Sequence, residues 1–137
     1  MPISLDALQQ QMPRIFAPWI LALRVQPVHA EPGRLRLTMP LTPDLIHGGG
    51  VLCGQASMAA ADTAMVLLMM SELGEFRPMT TVQLQTTFLR PVTGSELRID
   101  ARLLRQGRQL AFGQIDLLDD QDRLAVQATT TYALLST

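Results

Sequence analysis

The sequence contains no lysine and only one cysteine, and its acidic and basic residues nearly balance. Eleven arginines stand against twelve acidic residues, which leaves a net charge of −1. So small a charge lacks the single-sign field typical of proteins that bind nucleic acid or anionic membranes. We therefore expect neither nucleic acid nor a membrane as a partner. The lone Cys53 cannot form an internal disulfide, which fits a reducing compartment.

Signals for secretion and for metal binding are also missing. The N-terminal residues lack the basic stretch and apolar run of a secretory signal, so a cytoplasmic location is the default expectation. The strongest apolar run, Ala56 to Met70, is shorter than the roughly 20 residues of a membrane span and contains Asp62. No spacing of His, Cys and carboxylates indicates a metal site, and the glycines lack the order of a nucleotide-binding loop. We therefore expect no metal and no cofactor.

The sequence does contain one long apolar helix. Residues Gly54 to Glu72 are apolar around the whole circumference, which is typical of a helix enclosed on all sides, and Gly74 ends it. A short helix runs from Ser4 to about Met12, where Pro13 breaks the pattern. Strand patterns and turn residues predict six strands: Leu21–Val28, Arg34–Leu41, Thr80–Leu89, Glu96–Leu104, Leu110–Leu118 and Arg123–Leu134.

This order of elements predicts an α+β architecture with one long buried helix wrapped by a single antiparallel sheet. The length of 137 residues fits one domain that covers residues 1–137. One short sheet cannot cover a helix that is apolar on all sides, so a second subunit is expected to cover the rest. The sequence therefore predicts a homo-oligomer.

Asp62 is the strongest candidate for chemistry, because it lies in the middle of the apolar helix. An unpaired carboxylate there would cost several kcal/mol, so either a partner in the fold stabilises it or it acts as a general base or nucleophile in a cleft. Gly54 and Gln55 stand at the predicted helix start, where free backbone N–H groups can bind a developing oxyanion. Helix rise separates Gly54 from Asp62 by roughly 12 Å, so the two can serve one carbonyl only across a two-fold interface.

Two more side chains near the helix start have competing interpretations. His47 lies in the glycine-rich segment Pro43 to Gly50, and it is either a solvated or structural residue or a residue that holds the reacting group. Cys53 is either a small buried hydrophobe or a thiolate paired with His47. The sequence alone leaves both questions open.

The residues around Asp62 resemble the hotdog-fold thioesterases of the phenylacetate-degradation branch. That family carries a catalytic acid within a Leu-Ala-Asp-x-Ala string, and Ala60–Ala64 matches this string. The family also has His-Gly-Gly nine residues before the acid and Asn six residues before that His. Here Cys53 stands in place of the His and His47 in place of the Asn, so the spacing is kept while two side chains differ. Thr81 matches a hydroxyl that the family places near the thioester.

The resemblance implies a hotdog fold, a homodimer or homotetramer, and hydrolysis of an acyl-CoA thioester. In such a site the Gly54 N–H would hold the carbonyl oxygen, and Asp62 of the partner subunit would activate water or attack directly. Thr81 would orient the carboxylate or the water, and His47 would help to hold the reacting group. Residues expected to contact the substrate are Cys53, Gln55, Arg90 and Arg108, with the two arginines near the phosphates of coenzyme A.

Two other functions are compatible with the same fold. A non-catalytic acyl-CoA-binding module would keep the cleft without turnover, and the changes at Cys53 and His47 would then mark a decayed site. A hydratase or dehydratase would need a histidine at the β-carbon of the acyl chain, for which His47 is the only candidate near the helix start.

Overall fold

The computed structural model describes residues 3–135 and has one long helix packed on a six-stranded antiparallel sheet. The helices are α1 (Leu5–Ile15), α2 (Pro18–Leu21) and α3 (Gly54–Leu73). The strands are β1 (Gln26–Glu31), β2 (Arg34–Pro40), β3 (Met79–Phe88), β4 (Glu96–Gln106), β5 (Leu110–Leu118) and β6 (Leu124–Leu134). Their order in the sheet is β1-β2-β4-β5-β6-β3, and every neighbouring pair is antiparallel. The predicted hotdog architecture is confirmed.

Two predicted boundaries near the N-terminus are wrong. The first strand begins at Gln26 instead of Leu21, because Pro18 starts the short helix α2, where the missing N–H of proline costs nothing. Helix α1 continues through Pro13 to Ile15 instead of ending at Met12. Pro13 leaves only the carbonyl of Gln9 without its helical donor, and Gln9 is exposed to water.

Helix α3 lies against one face of the sheet, with 13 of its 20 residues buried. A close approach to β5 is allowed by Gly113, since a Cβ atom there would stand 2.5 Å from Sδ of Met65. The helix ends at Gly74, which has a φ of 77° and donates its N–H to Met70 O at 2.9 Å. Gly113 in the sheet therefore allows the helix to pack closely, and Gly74 sets where the helix ends.

One side of α3 is not covered by the sheet. Gln55 and Met58 are exposed, and Asp62 and Val66 are half-buried. These residues are three or four positions apart, so they form a single line along the helix, which we call the open stripe of α3. The stripe lies next to the edge strand β3, where Val82 is 59% exposed.

The predicted bounds of α3 are confirmed to within one residue. The helix has 20 residues, and its most apolar 18-residue window has a mean hydropathy of 1.3, which by length and composition alone is enough to cross a membrane. The predicted helix from Gly54 to Glu72 agrees with the observed Gly54–Leu73, and the apolar run Ala56 to Met70 lies within it. Of its most apolar window, 72% is buried inside the fold, as in the core helix of a globular protein.

Candidate functional site

The carboxylate of Asp62 is held by two hydroxyl groups from the sheet. Thr81 donates its hydroxyl to Oδ1 of Asp62 at 3.0 Å. The hydroxyl of Tyr132 donates to the same Oδ1 and lies 3.2 Å from the backbone oxygen of Asp62. None of the hydrogen bonds among residues 3–135 uses Oδ2. Asp62 therefore has partners in the fold, yet one of its oxygens is free.

The pairing of β3 with β6 explains why both hydroxyls reach one oxygen. Thr81 and Tyr132 are direct cross-strand partners, so their side chains point to the same side of the sheet. A bulge between Thr81 and Gln83 changes the register of β3 beside this pair. Bulges of this kind often lie next to active sites, where they redirect a side chain. Tyr132 is 3% exposed, whereas Thr81 is open to solvent at the sheet edge.

Tyr132 retains its proton in this environment. Burial raises the pKa of Tyr132 well above its ordinary value, and the hydrogen bond to Asp62 raises it further. The phenol is consequently a constant donor to the carboxylate and not a source of protons.

The start of α3 carries free backbone donors. Cys53 is the N-cap residue, with extended backbone (φ −66°, ψ 146°), and its side chain makes no capping bond. Gly54, Gln55 and Ala56 follow in the first turn, and their N–H groups take part in no hydrogen bond within the described part of the chain. These donors stand at the positive end of a 20-residue helix, so the position favours an oxygen that gains negative charge.

His47 belongs to a tight loop before this helix. Its N–H donates to Val51 O at 3.1 Å, and the N–H of Gly50, which has a φ of 76°, donates to His47 O at 2.9 Å. The imidazole Nδ1 accepts from the N–H of Gly49 at 3.3 Å. The neutral ring therefore carries its proton on Nε2, and this exposed donor is free to bind another group.

His47 and Gly54 line one open groove with a volume of about 470 Å³. Arg90 lies on the same groove, whose other walls are mostly apolar: Val51, Leu52, Phe88, Leu89, Pro91, Val92 and Val126, together with Ser57. The ring of Phe88 covers the helix start at van der Waals distance, 3.5 Å from where a Cβ atom of residue 54 would stand. Of the predicted substrate contacts, Cys53 and Gln55 are not in the lining of this groove.

One protomer does not bring all the predicted residues together. Asp62 is eight residues beyond Gly54 along α3, roughly 12 Å by helix rise. Arg108 lies at the turn between β4 and β5 and lines a separate depression with Arg105. This turn is beside the beginning of β3, whereas Arg90 follows its end. The structure therefore has two separate groups of candidate residues, which we call the half-sites: the groove around Gly54, and the cluster of Asp62, Thr81 and Tyr132.

Tyr132 was not predicted from the sequence. It is the one tyrosine of the chain and lies in a strand of alternating pattern, where an aromatic residue is typical of the core. Its role depends on the register of β6 against β3, which the sequence does not reveal. Elsewhere in residues 3–135, no group of three His, Cys, Asp or Glu side chains is placed to hold a metal ion.

Comparison with known proteins gives consistent results. The model of the family described as Thioesterase superfamily matches residues 49–126, which is more than half of the chain. A protein of Thermoplasma volcanium, provisionally named as an esterase, is 26% identical over 116 residues, or 85% of this chain and 86% of its own length.

Solved structures are similar over almost the whole chain. A thioesterase from Haemophilus influenzae has a TM-score of 0.87 and 22% identity, covering 99% of this chain and 93% of its own. The Escherichia coli protein from the phenylacetic acid degradation operon has a TM-score of 0.80 and 20% identity, covering 97% of each chain. At these identities the likeness shows the fold alone, so membership of the phenylacetate-degradation branch stays a prediction.

Proposed function

The chain belongs to the thioesterase superfamily, and on this premise we propose that it hydrolyses an acyl-CoA thioester at a site shared by two protomers. The observation that carries the proposal is the carboxylate of Asp62. Two sheet hydroxyls bind its Oδ1, while Oδ2 is free on the open stripe of α3. A carboxylate held in this way has a defined oxygen for a water molecule or a carbonyl carbon.

The second requirement is a donor for the carbonyl oxygen. The N–H of Gly54 at the start of α3 supplies it, because it is unpaired within residues 3–135 and lies at the positive end of the helix dipole. His47 adds a side-chain donor through Nε2 on the same groove. Both groups can bind an oxygen whose negative charge grows during the reaction.

These groups suffice for thioester chemistry. In the base route, Oδ2 of Asp62 takes a proton from water, and the resulting hydroxide adds to the carbonyl carbon. The C–S bond then breaks, the thiolate leaves and takes up a proton, and the acyl group leaves as the free acid. In the nucleophilic route, Oδ2 itself adds to the carbon, the C–S bond breaks and the thiolate leaves and takes up a proton. Water then hydrolyses the resulting mixed anhydride, which releases the free acid and regenerates the carboxylate. A thioester reacts readily in both routes, since its carbonyl has little resonance stabilisation and its thiol is a good leaving group.

A two-fold axis beside β3 unites the half-sites. Such an axis reverses the direction of β3 in the partner, so the end of one β3 meets the beginning of the other. The groove around Gly54 then faces Asp62 of the partner subunit. The same operation brings Arg90 near Arg108 of the partner subunit, and two guanidinium groups suit the phosphates of coenzyme A. A homodimer, or a homotetramer built from two dimers, satisfies this geometry.

The test is a panel of acyl-CoA substrates assayed with a thiol-reactive dye. The protein's own Cys53 would react with the dye, so the assay is run on Cys53→Ser. This variant is expected to keep substantial turnover, because the proposed oxyanion donor is the N–H of Gly54 and not the sulfur of Cys53. A trapped acyl-cysteine in the wild type, together with loss of activity in the variant, would instead identify Cys53 as the nucleophile.

The outcomes of the panel separate the candidate functions. Release of coenzyme A thiol with saturation kinetics supports hydrolysis. Saturable binding of acyl-CoA without thiol release supports the non-catalytic binding module and contradicts the proposal. Addition of water to an enoyl-CoA, again without thiol release, supports the hydratase.

A further inference from the structure

We propose that Tyr132 is a positioning residue of this site. Together with Thr81 it binds Oδ1 of Asp62, so that Oδ2 is the oxygen left to react. The inference rests on the proposed function, since it presumes that the carboxylate of Asp62 reacts. It adds a residue in the last strand of the sheet, 70 positions from the carboxylate that it holds.

The arrangement of donors makes the two oxygens of Asp62 unequal. Oδ1 accepts from both the phenol of Tyr132 and the hydroxyl of Thr81, whereas Oδ2 accepts from no group of residues 3–135. Partial rotation of the carboxylate would break both bonds, while a half-turn restores the same arrangement with one oxygen bound and the other free. Hydrogen bonds to a charged group contribute about 1.5–3 kcal/mol each. The direction of Oδ2 is therefore fixed before substrate binds.

Tyr132 has more influence on this geometry than Thr81. Its ring is buried between α3 and the sheet, so its hydroxyl cannot move without disturbing the core. Thr81 lies exposed on the edge strand, and its short side chain depends on the position of β3. The raised pKa of Tyr132 agrees with a group that donates a hydrogen bond and never ionises.

The first test is Tyr132→Phe, which removes the hydroxyl and keeps the ring. We expect kcat to fall by about 10-fold to 100-fold with KM changed little, because a misplaced group reduces the rate without weakening binding. The acidic limb of the pH profile of kcat should move to higher pH, since the charged carboxylate has lost a donor and is protonated more easily.

The matched control is Thr130→Val. Thr130 is also buried in β6, and its hydroxyl donates to Gln83 O on β3 at 2.8 Å without contacting Asp62. This variant loses a buried hydrogen bond from the same strand, but the bond runs to β3 instead of to α3. A merely structural effect would lower the melting temperature of both variants alike and leave both pH profiles in place, whereas the proposal requires that only Tyr132→Phe moves the profile.

A second measurement does not depend on the folding of Tyr132→Phe. Tyr132 is the one tyrosine in the chain, so growth on fluorotyrosine changes this residue alone. A fluorinated phenol is a stronger hydrogen-bond donor of almost the same shape. The acidic limb of the pH profile should then move to lower pH, opposite to the shift in Tyr132→Phe.

Thr81, the other donor to Oδ1, gives a further test by conservative rescue. Thr81→Ser keeps the hydroxyl and should retain most of the turnover that Thr81→Val loses.

The outcomes distinguish this inference from the proposed function. If Asp62→Asn abolishes turnover while Tyr132→Phe and the fluorotyrosine protein keep the wild-type kcat and pH profile, the positioning role is wrong and the proposed function stands. If Asp62→Asn itself keeps the wild-type kcat, the reacting carboxylate has been misassigned, and the role of Tyr132 falls with it.

Discussion

Asp62 is the residue whose charge can be removed with the least change in shape. In Asp62→Asn the amide has nearly the volume of the carboxylate, and its oxygen can still accept from Thr81 and Tyr132. We expect kcat to fall by about 100-fold or more with KM little changed, because the base or nucleophile is lost while the binding groove is intact.

Thermal melting of the same Asp62→Asn preparation separates chemistry from stability. A purely structural carboxylate would leave kcat unchanged and alter the melting temperature, in a direction that depends on its partners. A folded variant with near wild-type kcat would remove Asp62 from the mechanism, and the acyl-CoA-binding module would then be the better description.

The residues of the site differ in how far the sequence revealed them. Asp62 and Gly54 were identified because their properties follow from local sequence: a carboxylate within an apolar helix, and an N–H at a helix start. Tyr132 was missed because its meaning depends on a partner strand about 50 residues away and on a bulge in that strand. Arg108 was placed by resemblance, and its distance from Arg90 in one protomer becomes visible only with the strand order known.

The elements were easier to predict than their ends. The long helix is predicted by residues that are apolar around its whole circumference, and the four strands after it by alternation with a period of two. Each pattern extends over about ten residues or more, which makes it a strong signal. The region before Gln26 was misread because the apolar residues of α2 also fit a strand. Only the packing of α1 against β1 and of α2 against α1 decides between the two.

The turn between β5 and β6 contains a buried carboxylate, Asp119, that makes the stability of the fold depend on pH. Asp119 in this turn is 1% exposed, and it accepts from the N–H groups of Gln121 and Arg123 and from the Arg123 guanidinium. These donors hold the pKa of Asp119 below its ordinary value, with the backbone bond from Arg123 as the largest cause. The folded state therefore binds this proton less readily than the unfolded chain does.

The sign of the pH effect follows from that difference. The contribution of Asp119 to stability is fully present above about pH 4, the ordinary range of a carboxyl, and is lost as the pH falls toward the lower folded value. In melting curves at falling pH, we expect the gap between wild type and Asp119→Asn to be widest near neutrality and to shrink in acid. A gap that stays constant from neutral to acidic pH would contradict this account of the turn.

At the scale of the whole molecule, complementation between two inactive variants tests whether the site is shared. Gly54→Pro removes the proposed oxyanion donor, and proline is tolerated at the first helical position, where no helical bond is lost. Cys53 already has the extended backbone that a residue before proline adopts. Gly54→Ala is the control, because it keeps the N–H and its Cβ meets Phe88 at ordinary distance.

Mixed dimers of Gly54→Pro and Asp62→Asn protomers would carry one intact site if each site takes Gly54 from one chain and Asp62 from the other. Random co-assembly should then restore about a quarter of wild-type activity, because half of the dimers are mixed and each has one working site of two. Sites contained within one protomer would give no restoration. Sedimentation should show a dimer or a dimer of dimers, and a monodisperse monomer at micromolar concentration would exclude a shared site.

The sheet order has a consequence for how the protein acquires its site during folding. Strand β3 follows α3 directly in sequence, but it pairs only with β6, the last strand of the sheet. The hairpins formed by β1 with β2, by β4 with β5 and by β5 with β6 close short loops. The pairing of β3 with β6 closes a loop of about 40 residues and that of β2 with β4 one of about 55, so both are slower. The hydrogen bonds of both Thr81 and Tyr132 to Asp62 are present only after β3 has joined β6. A refolding chain should accordingly regain most of its secondary structure before it regains the ability to turn over substrate.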